Sequence, residues 1–166
     1  LVYGAEVEVT DGESGHSLPL SEFYVGAGKT VLQQGQIVLG FRIPDPGPHG
    51  AAFIKLGRRR AMEIALVSAT ALVSVDEAGV CRDLRLALGT AAPTPMLVEG
   101  AAEMAAGRLL DDEVVDQIAK AAAAQARPRV GSFRCDPEYR RRMVAVVAGR
   151  AVTAAWSRAQ DERRAS

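Results

Sequence analysis

Residues 51–75, AAFIKLGRRRAMEIALVSATALVSV, decide the fold. Two apolar, strand-like runs, 51–56 and 64–75, flank a polar crossing that carries Lys55, Arg58, Arg59, Arg60 and Glu63. The second run is followed after Asp76-Glu77-Ala78-Gly79 by another at 80–88, and two strand patterns joined by so short a polar turn read as an antiparallel hairpin. Four cations within positions 55–60 stand out in a chain with 20 Lys+Arg and 20 Asp+Glu. Such a cluster at a strand end can hold a phosphate, a flavin edge or a partner's carboxylates, because guanidinium forks match planar and tetrahedral oxyanions. A solvated turn with its arginines in water fits the same pattern. Glu63 is placed to fix one of the arginines.

Strands also read at 2–9, where LVYGAEVEVT alternates, and at 36–43, ended by Pro44. The stretch PDPGPHG at 44–50, with three prolines and two glycines, marks a surface crossing or domain boundary. After Gly89 the pattern turns helical. A short helix at 97–106 closes on Gly107, a second starts at Asp111 or Asp112 and runs to 126, and Asp136-Pro137-Glu138 opens a third. The third runs to about Trp156, with Tyr139, Met143, Val146, Val147 and Arg150 at near-helical spacing, and residues 159–166 read as a flexible polar tail. Strands followed by helices define an α+β fold, an antiparallel sheet with helices packed on one face.

Composition excludes several classes. Zero net charge argues against a general nucleic-acid or membrane-surface binder, and the basic clusters at 58–60, 127–134 and 140–142 are short. Arg140, Arg141 and Arg142 read as flanking an amphipathic helix and pairing with Glu138. Cys81 and Cys135 are too few for a disulfide scaffold or an iron–sulfur cluster, which points to a reducing, cytoplasmic setting, and with His16 and His49 they show no metal-ligand spacing. GAGKT at 26–30 fails as a phosphate loop, since the preceding glycine is missing. Asp111-Asp112-Glu113 reads as a helix start, and no nucleophile elbow exists around Ser68 or Ser74. No apolar run reaches bilayer length. A chain opening at once in a strand, without Met, reads as a fragment or processed piece.

FIKLGRRRAMEIALVSATALV, together with LSEFYVGAGKTVLQQGQIVLGFRIP, LRLALGTAAPTPML and DPEYRRRMVAVVAGRAV, resembles in order and spacing the FAD-binding (medium) subunit of the molybdenum hydroxylases, the xanthine dehydrogenase and aerobic carbon monoxide dehydrogenase family. The resemblance implies that residues 1–48 end a second FAD-binding subdomain and residues 49–158 form the C-terminal domain, the glycine-rich FAD-binding half being absent. It implies FAD as cofactor, held in part by Val38, Lys55, Arg59, Arg60, Glu63 and Ile64, with no catalytic residue in this chain. Glu63 replaces the commoner Asp, a longer carboxylate that can still pair with arginine while shifting the loop. Implied partners are the missing FAD-binding half, a [2Fe-2S] small subunit and a molybdopterin large subunit that carries the molybdenum cofactor. The implied work is relaying electrons from the [2Fe-2S] clusters through FAD to an external acceptor. The alternative is a cofactor-free structural or subunit-interaction module, a fragment or relict of the same family.

Overall fold

Two hydrophobic clusters of unequal size organise the chain. The structure, a computed structural model, describes residues 1–59, 62–132 and 134–165. Its first part holds β1 (Glu6–Thr10), β2 (Gly15–Pro19), α1 (Leu20–Phe23), β3 (Tyr24–Gly26), β4 (Lys29–Thr30) and β5 (Ile37–Arg42). β1 lies between β2 and β5, antiparallel to both. Alternation puts Val7 and Val9 inward, where they are buried with Phe23 and flanked by Leu18, Leu20, Val31, Leu32 and Val38. The Asp11 carboxylate accepts from the Glu13 and Ser14 N–H groups, at 3.0 and 2.8 Å, and closes the β1–β2 turn.

The second part holds β6 (Gly50–Leu56), β7 (Val67–Val75), β8 (Cys81–Gly89), β9 (Met96–Leu97), α2 (Ala101–Ala105), α3 (Asp112–Gln125) and α4 (Pro137–Ala165). Its sheet runs β6-β7-β8-β9, antiparallel throughout, and the β7–β8 pair is the hairpin that the 76–79 turn predicts. Alternate residues of β7 and β8, among them Val67, Ala69, Val73, Leu84, Leu86 and Leu88, are buried against helices on one face. α4 crosses β6 and β7, α3 packs on α4, and α2 packs on β8. The chain is therefore α+β, as the sequence predicts.

The helix starts follow their caps. Asp111 accepts from the Val114 N–H at 2.9 Å, and Asp136 accepts from the Glu138 and Tyr139 N–H groups at 2.9 and 3.1 Å. The short helix expected at 97–106 is only Ala101–Ala105, because Met96–Leu97 pairs with β8 instead. α4 differs more. It continues past Trp156 to Ala165, where Gln160 and Arg163 donate to the Gly79 and Glu77 carbonyls of the β7–β8 turn at 2.7 and 2.8 Å. Its buried stripe is Val144, Val147, Ala148, Ala151, Val152, Ala155 and Ala159, whereas Tyr139, Val146 and Arg150 face outward. Alanine is inside because helix and sheet nearly touch: a Cβ on Gly50 would lie 2.1 Å from the Ala155 carbonyl oxygen.

Candidate functional site

The β6–β7 crossing is organised around one carboxylate. Lys55, near the end of β6, donates through Nζ to the Glu63 carbonyl at 3.1 Å. The Glu63 carboxylate accepts from Arg58 Nε at 2.9 Å and from the Arg59 N–H at 2.5 Å, and Arg59 Nη2 reaches the Met62 carbonyl at 3.0 Å. The Arg58 guanidinium, aided by the Arg59 N–H and by the charges of both arginines, outweighs desolvation and holds the Glu63 carboxyl below its usual range. Gly57 fits because a Cβ there would come within 3.3 Å of the Arg59 carbonyl oxygen. At the loop apex Met62 takes a φ of 50° and is almost wholly exposed, a conformation that non-glycine residues seldom adopt.

Thus Glu63 fixes Arg58 by its side chain and Arg59 by its backbone. Arg60 falls outside the described residues. Ile64 does not join the core: its side chain is 61% exposed, because the strand begins only at Val67 and residues 64–66 still belong to the crossing. Val38 lies in the other unit, opposite Val9 on β5, packed against the small cluster of Val7, Val9 and Phe23. The structure brings Lys55, Arg59 and Glu63 together and leaves Val38 apart.

Lys55 stands opposite Ser68 in the sheet, and Phe53 stands opposite Thr70. Cross-strand partners share a face, and this one points away from the helices. Ser68, Thr70 and Gly89 on that face line a groove of about 350 Å³ whose other wall is Val2, Tyr3, Leu20 and Tyr24 of the first unit. A Cβ on Gly89 would sit 2.5 Å from Ser68 Oγ, so a larger residue there would push the hydroxyl aside. The two units meet beside it through Tyr3 Oη and His49 Nε2 at 3.0 Å and through Arg85 Nη1, which donates to the Val2 carbonyl at 3.3 Å. Largely apolar walls with two hydroxyls and two tyrosines suit one edge of a flat ring system. Among the described residues no Lys or Arg side chain lines this groove, so a pyrophosphate finds no charged side chain within it.

Sequence reasoning missed a second cavity behind the same loop. Ile64 and Ala65 form one wall, and Arg129, Ser132, Arg134 and Arg140 form the others. Arg142 does pair with Glu138, at 3.8 Å on the surface, but Arg140 is buried at 7% exposure. The signal was present: Arg140 precedes Val144 by four and Val147 by seven, in phase with the buried stripe. Among the described residues no group of three His, Cys, Asp or Glu side chains could hold a metal ion, and no helix is long and apolar enough to cross a membrane.

A four-stranded antiparallel sheet backed by α2–α4 thus carries a basic crossing beside its open face. Residues 52–155 match the CO dehydrogenase flavoprotein C-terminal domain, and the chain belongs to that family, found in the FAD-binding medium subunits of the molybdenum hydroxylases. It is 32% identical over 95% of its length to the carbon monoxide dehydrogenase medium chain of Afipia carboxidovorans, covering 54% of that protein. It is 29% identical over 93% of its length to a xanthine dehydrogenase FAD-binding subunit of Escherichia coli, covering 53% of it. The solved carbon monoxide dehydrogenase from Hydrogenophaga pseudoflava that lacks the Mo-pyranopterin moiety superposes with a TM-score of 0.87 at 26% identity, over 95% of this chain and 54% of that one. The reconstituted CO dehydrogenase from Oligotropha carboxidovorans gives the same TM-score at 30% identity, with the same coverage. The chain spans about half the length of the curated relatives that it matches.

Proposed function

We propose that the chain is part of the flavoprotein subunit of a molybdenum hydroxylase, in which electrons pass from [2Fe-2S] clusters through FAD to an external acceptor. The observation that carries this reading is the open sheet face of β6–β8, on which Lys55, bonded to the Glu63 carbonyl of the basic crossing, stands opposite Ser68, within a domain of this family. FAD would supply the redox chemistry. The protein's part is to bound and orient one side of the flavin: Lys55 spends one of its three N–H donors on the Glu63 carbonyl and keeps two for a ligand. Its positive charge favours electron density on a neighbouring ring. Arg59 and Ile64 offer a charged and an apolar surface on the same loop, and Val38 acts through the packing of β5.

In this reading residues 1–48 close a second FAD-binding subdomain and residues 49–158 form the C-terminal domain. The pyrophosphate-binding half lies outside this chain, as do the [2Fe-2S] small subunit and the molybdopterin large subunit, in a cytoplasmic complex. β5 supports the first of these. It is a sheet edge on which Ile37, Leu39 and Phe41, with Ile43 just beyond its end, are each about 60% exposed, a surface that a further subdomain would cover.

Native mass spectrometry of the protein from its own cells tests the assignment. Companion chains with one FAD per copy are expected; a lone 17.5 kDa species without flavin would leave a cofactor-free module. For Lys55, the Lys55→Ala variant of the flavin-loaded subunit should lose FAD on gel filtration or reduce it more slowly, with an unchanged circular dichroism spectrum. Equal flavin content and equal reduction kinetics would remove Lys55 from the site.

A further inference from the structure

We propose that the cavity between residues 64–65 and the start of α4 binds a phosphate-type oxyanion. It encloses about 270 Å³ and is lined by three arginines, a serine hydroxyl and no carboxylate. Arg140 carries the argument. It is 93% withdrawn from solvent, yet among the described residues no carboxylate pairs with its guanidinium. One terminal nitrogen donates to Ser132 Oγ at 3.3 Å, and Nε is buried without any hydrogen-bond partner. A buried guanidinium with an idle donor is costly in a folded protein unless an acceptor completes it, and a cluster of arginines without a carboxylate favours an anionic one over water. The fork of Arg140 and the Ser132 hydroxyl, with the exposed Arg129 at the rim, present the donors that a tetrahedral oxyanion accepts from. Thr90, at a φ of 58° and with its hydroxyl donating to the Leu66 carbonyl at 3.0 Å, lines the cavity beside Ala65.

Because Ile64 and Ala65 are one wall, an occupied cavity would also steady the segment that carries Glu63. This inference does not depend on flavin binding, and its test needs no flavin. Isotope-labelled protein would be titrated with inorganic phosphate at constant ionic strength set by chloride. Saturable shifts of the Ala65, Thr90 and Ser132 amides are expected, with slower hydrogen exchange at 57–59 and 62–65. Arg140→Met should weaken phosphate binding by about tenfold or more, as expected for loss of a hydrogen bond to a charged partner. Since a buried arginine also supports folding, Arg129→Ala and Ser132→Ala provide exposed and half-exposed variants that should each weaken binding while the melting curve stays in place. ADP in a parallel titration separates the sources: tighter binding than phosphate assigns the site to a nucleotide's phosphates, and weaker binding assigns it to free phosphate. Shifts that never saturate, or an affinity untouched in Arg129→Ala, Ser132→Ala and Arg140→Met alike, would overturn the proposal.

Discussion

Substituting Gly50 by alanine adds one methyl group where the structure has no space for it. The new Cβ would lie 2.1 Å from the Ala155 carbonyl oxygen, 2.2 Å from the Ala159 nitrogen and 2.8 Å from the Arg158 carbonyl carbon. All three atoms are α4 backbone, so no rotamer change relieves the overlap. The helix must lift by about 1 Å to reach an ordinary contact, and a radial gap of ~0.5–1 Å already forfeits a quarter to a half of each dispersion well along the seam. That seam includes Ala52 on β6 and Ala151, Ala155 and Ala159 on α4, all buried. Lifting the helix also strains the bond from Arg158 Nη1 to the Ala51 carbonyl. Overpacking of this kind costs ~1–3 kcal/mol and more where backbone is the obstacle. The reduced entropy of the unfolded chain offsets ~0.4–1 kcal/mol of it. Taking the upper end, ~3 kcal/mol, because the obstacle is backbone, the expected net loss is ~2–2.6 kcal/mol, a large part of the ~5–15 kcal/mol typical of a domain. Gly40→Ala on β5 is the control, since its nearest neighbour, Glu8 Oε2, would be at 4.0 Å and its backbone is not left-handed. Urea unfolding followed by circular dichroism and by Trp156 fluorescence on α4 measures both variants. Equal midpoints for the two, at unchanged m-values, would refute the close approach of helix and sheet.

The Glu63 carboxyl titrates below its usual value of 4.5, so its contribution to loop order is complete above that value and is lost as pH falls through the lower folded-state pKa. Hydrogen exchange over residues 57–59 and 62–64, corrected for intrinsic rates, should stay flat from neutral pH to 4.5 and rise only below it. Glu63→Gln should show the loosened loop across the whole range, and a wild-type loop that already opens between pH 7 and 5 would contradict the assignment. Cys81 is buried, and desolvation, reinforced by Asp83, pushes its thiol up to about 11. A chromogenic disulfide at pH 8 should therefore find one reactive thiol in the native protein, that of Cys135, and a second only in denaturant. Native Cys135→Ser that still reacts within seconds would show Cys81 to be accessible.

The sheet was legible in the sequence because its signals are local. Alternation in 51–56, 67–75 and 81–88 and the polar turn at 76–79 need no knowledge of the rest of the chain, and the caps at Asp111 and Asp136 are equally local. The inward face of α4 was not legible by the same route. Weighting bulky residues at helical spacing selects Val147, which is buried, and Met143, which packs on the core, but also Tyr139 and Val146, which face outward, and it passes over Ala148, Ala151, Ala155 and Ala159, which build much of the buried side. Small residues are inside because Gly50 and Ala52 let the backbone of β6 approach the helix, a tertiary fact that no window on α4 contains.

The same limit separates the two halves of the basic crossing. Lys55, Arg59 and Glu63 lie within nine positions, so their association is readable from spacing, although the pattern does not say that Glu63 takes Arg58 by its side chain and Arg59 by its N–H. Ile64 looked like the first residue of a strand core, and only the placement of the strand start at Val67 puts it in the wall of the arginine cavity. Arg140 is the counterpart error. In sequence it is one of three consecutive arginines beside an acidic residue, a pattern that reads as surface. On the helix its phase matches Val144 and Val147, which forces the guanidinium inward. Nothing in the helix stripe pairs with that charge, so it must look across to Ser132 and the space behind Ile64. A charge carried inward by helical phase and left with an idle Nε is stabilised by whatever anion fills that space, and for this reason the loop and the cavity behind it are best tested together.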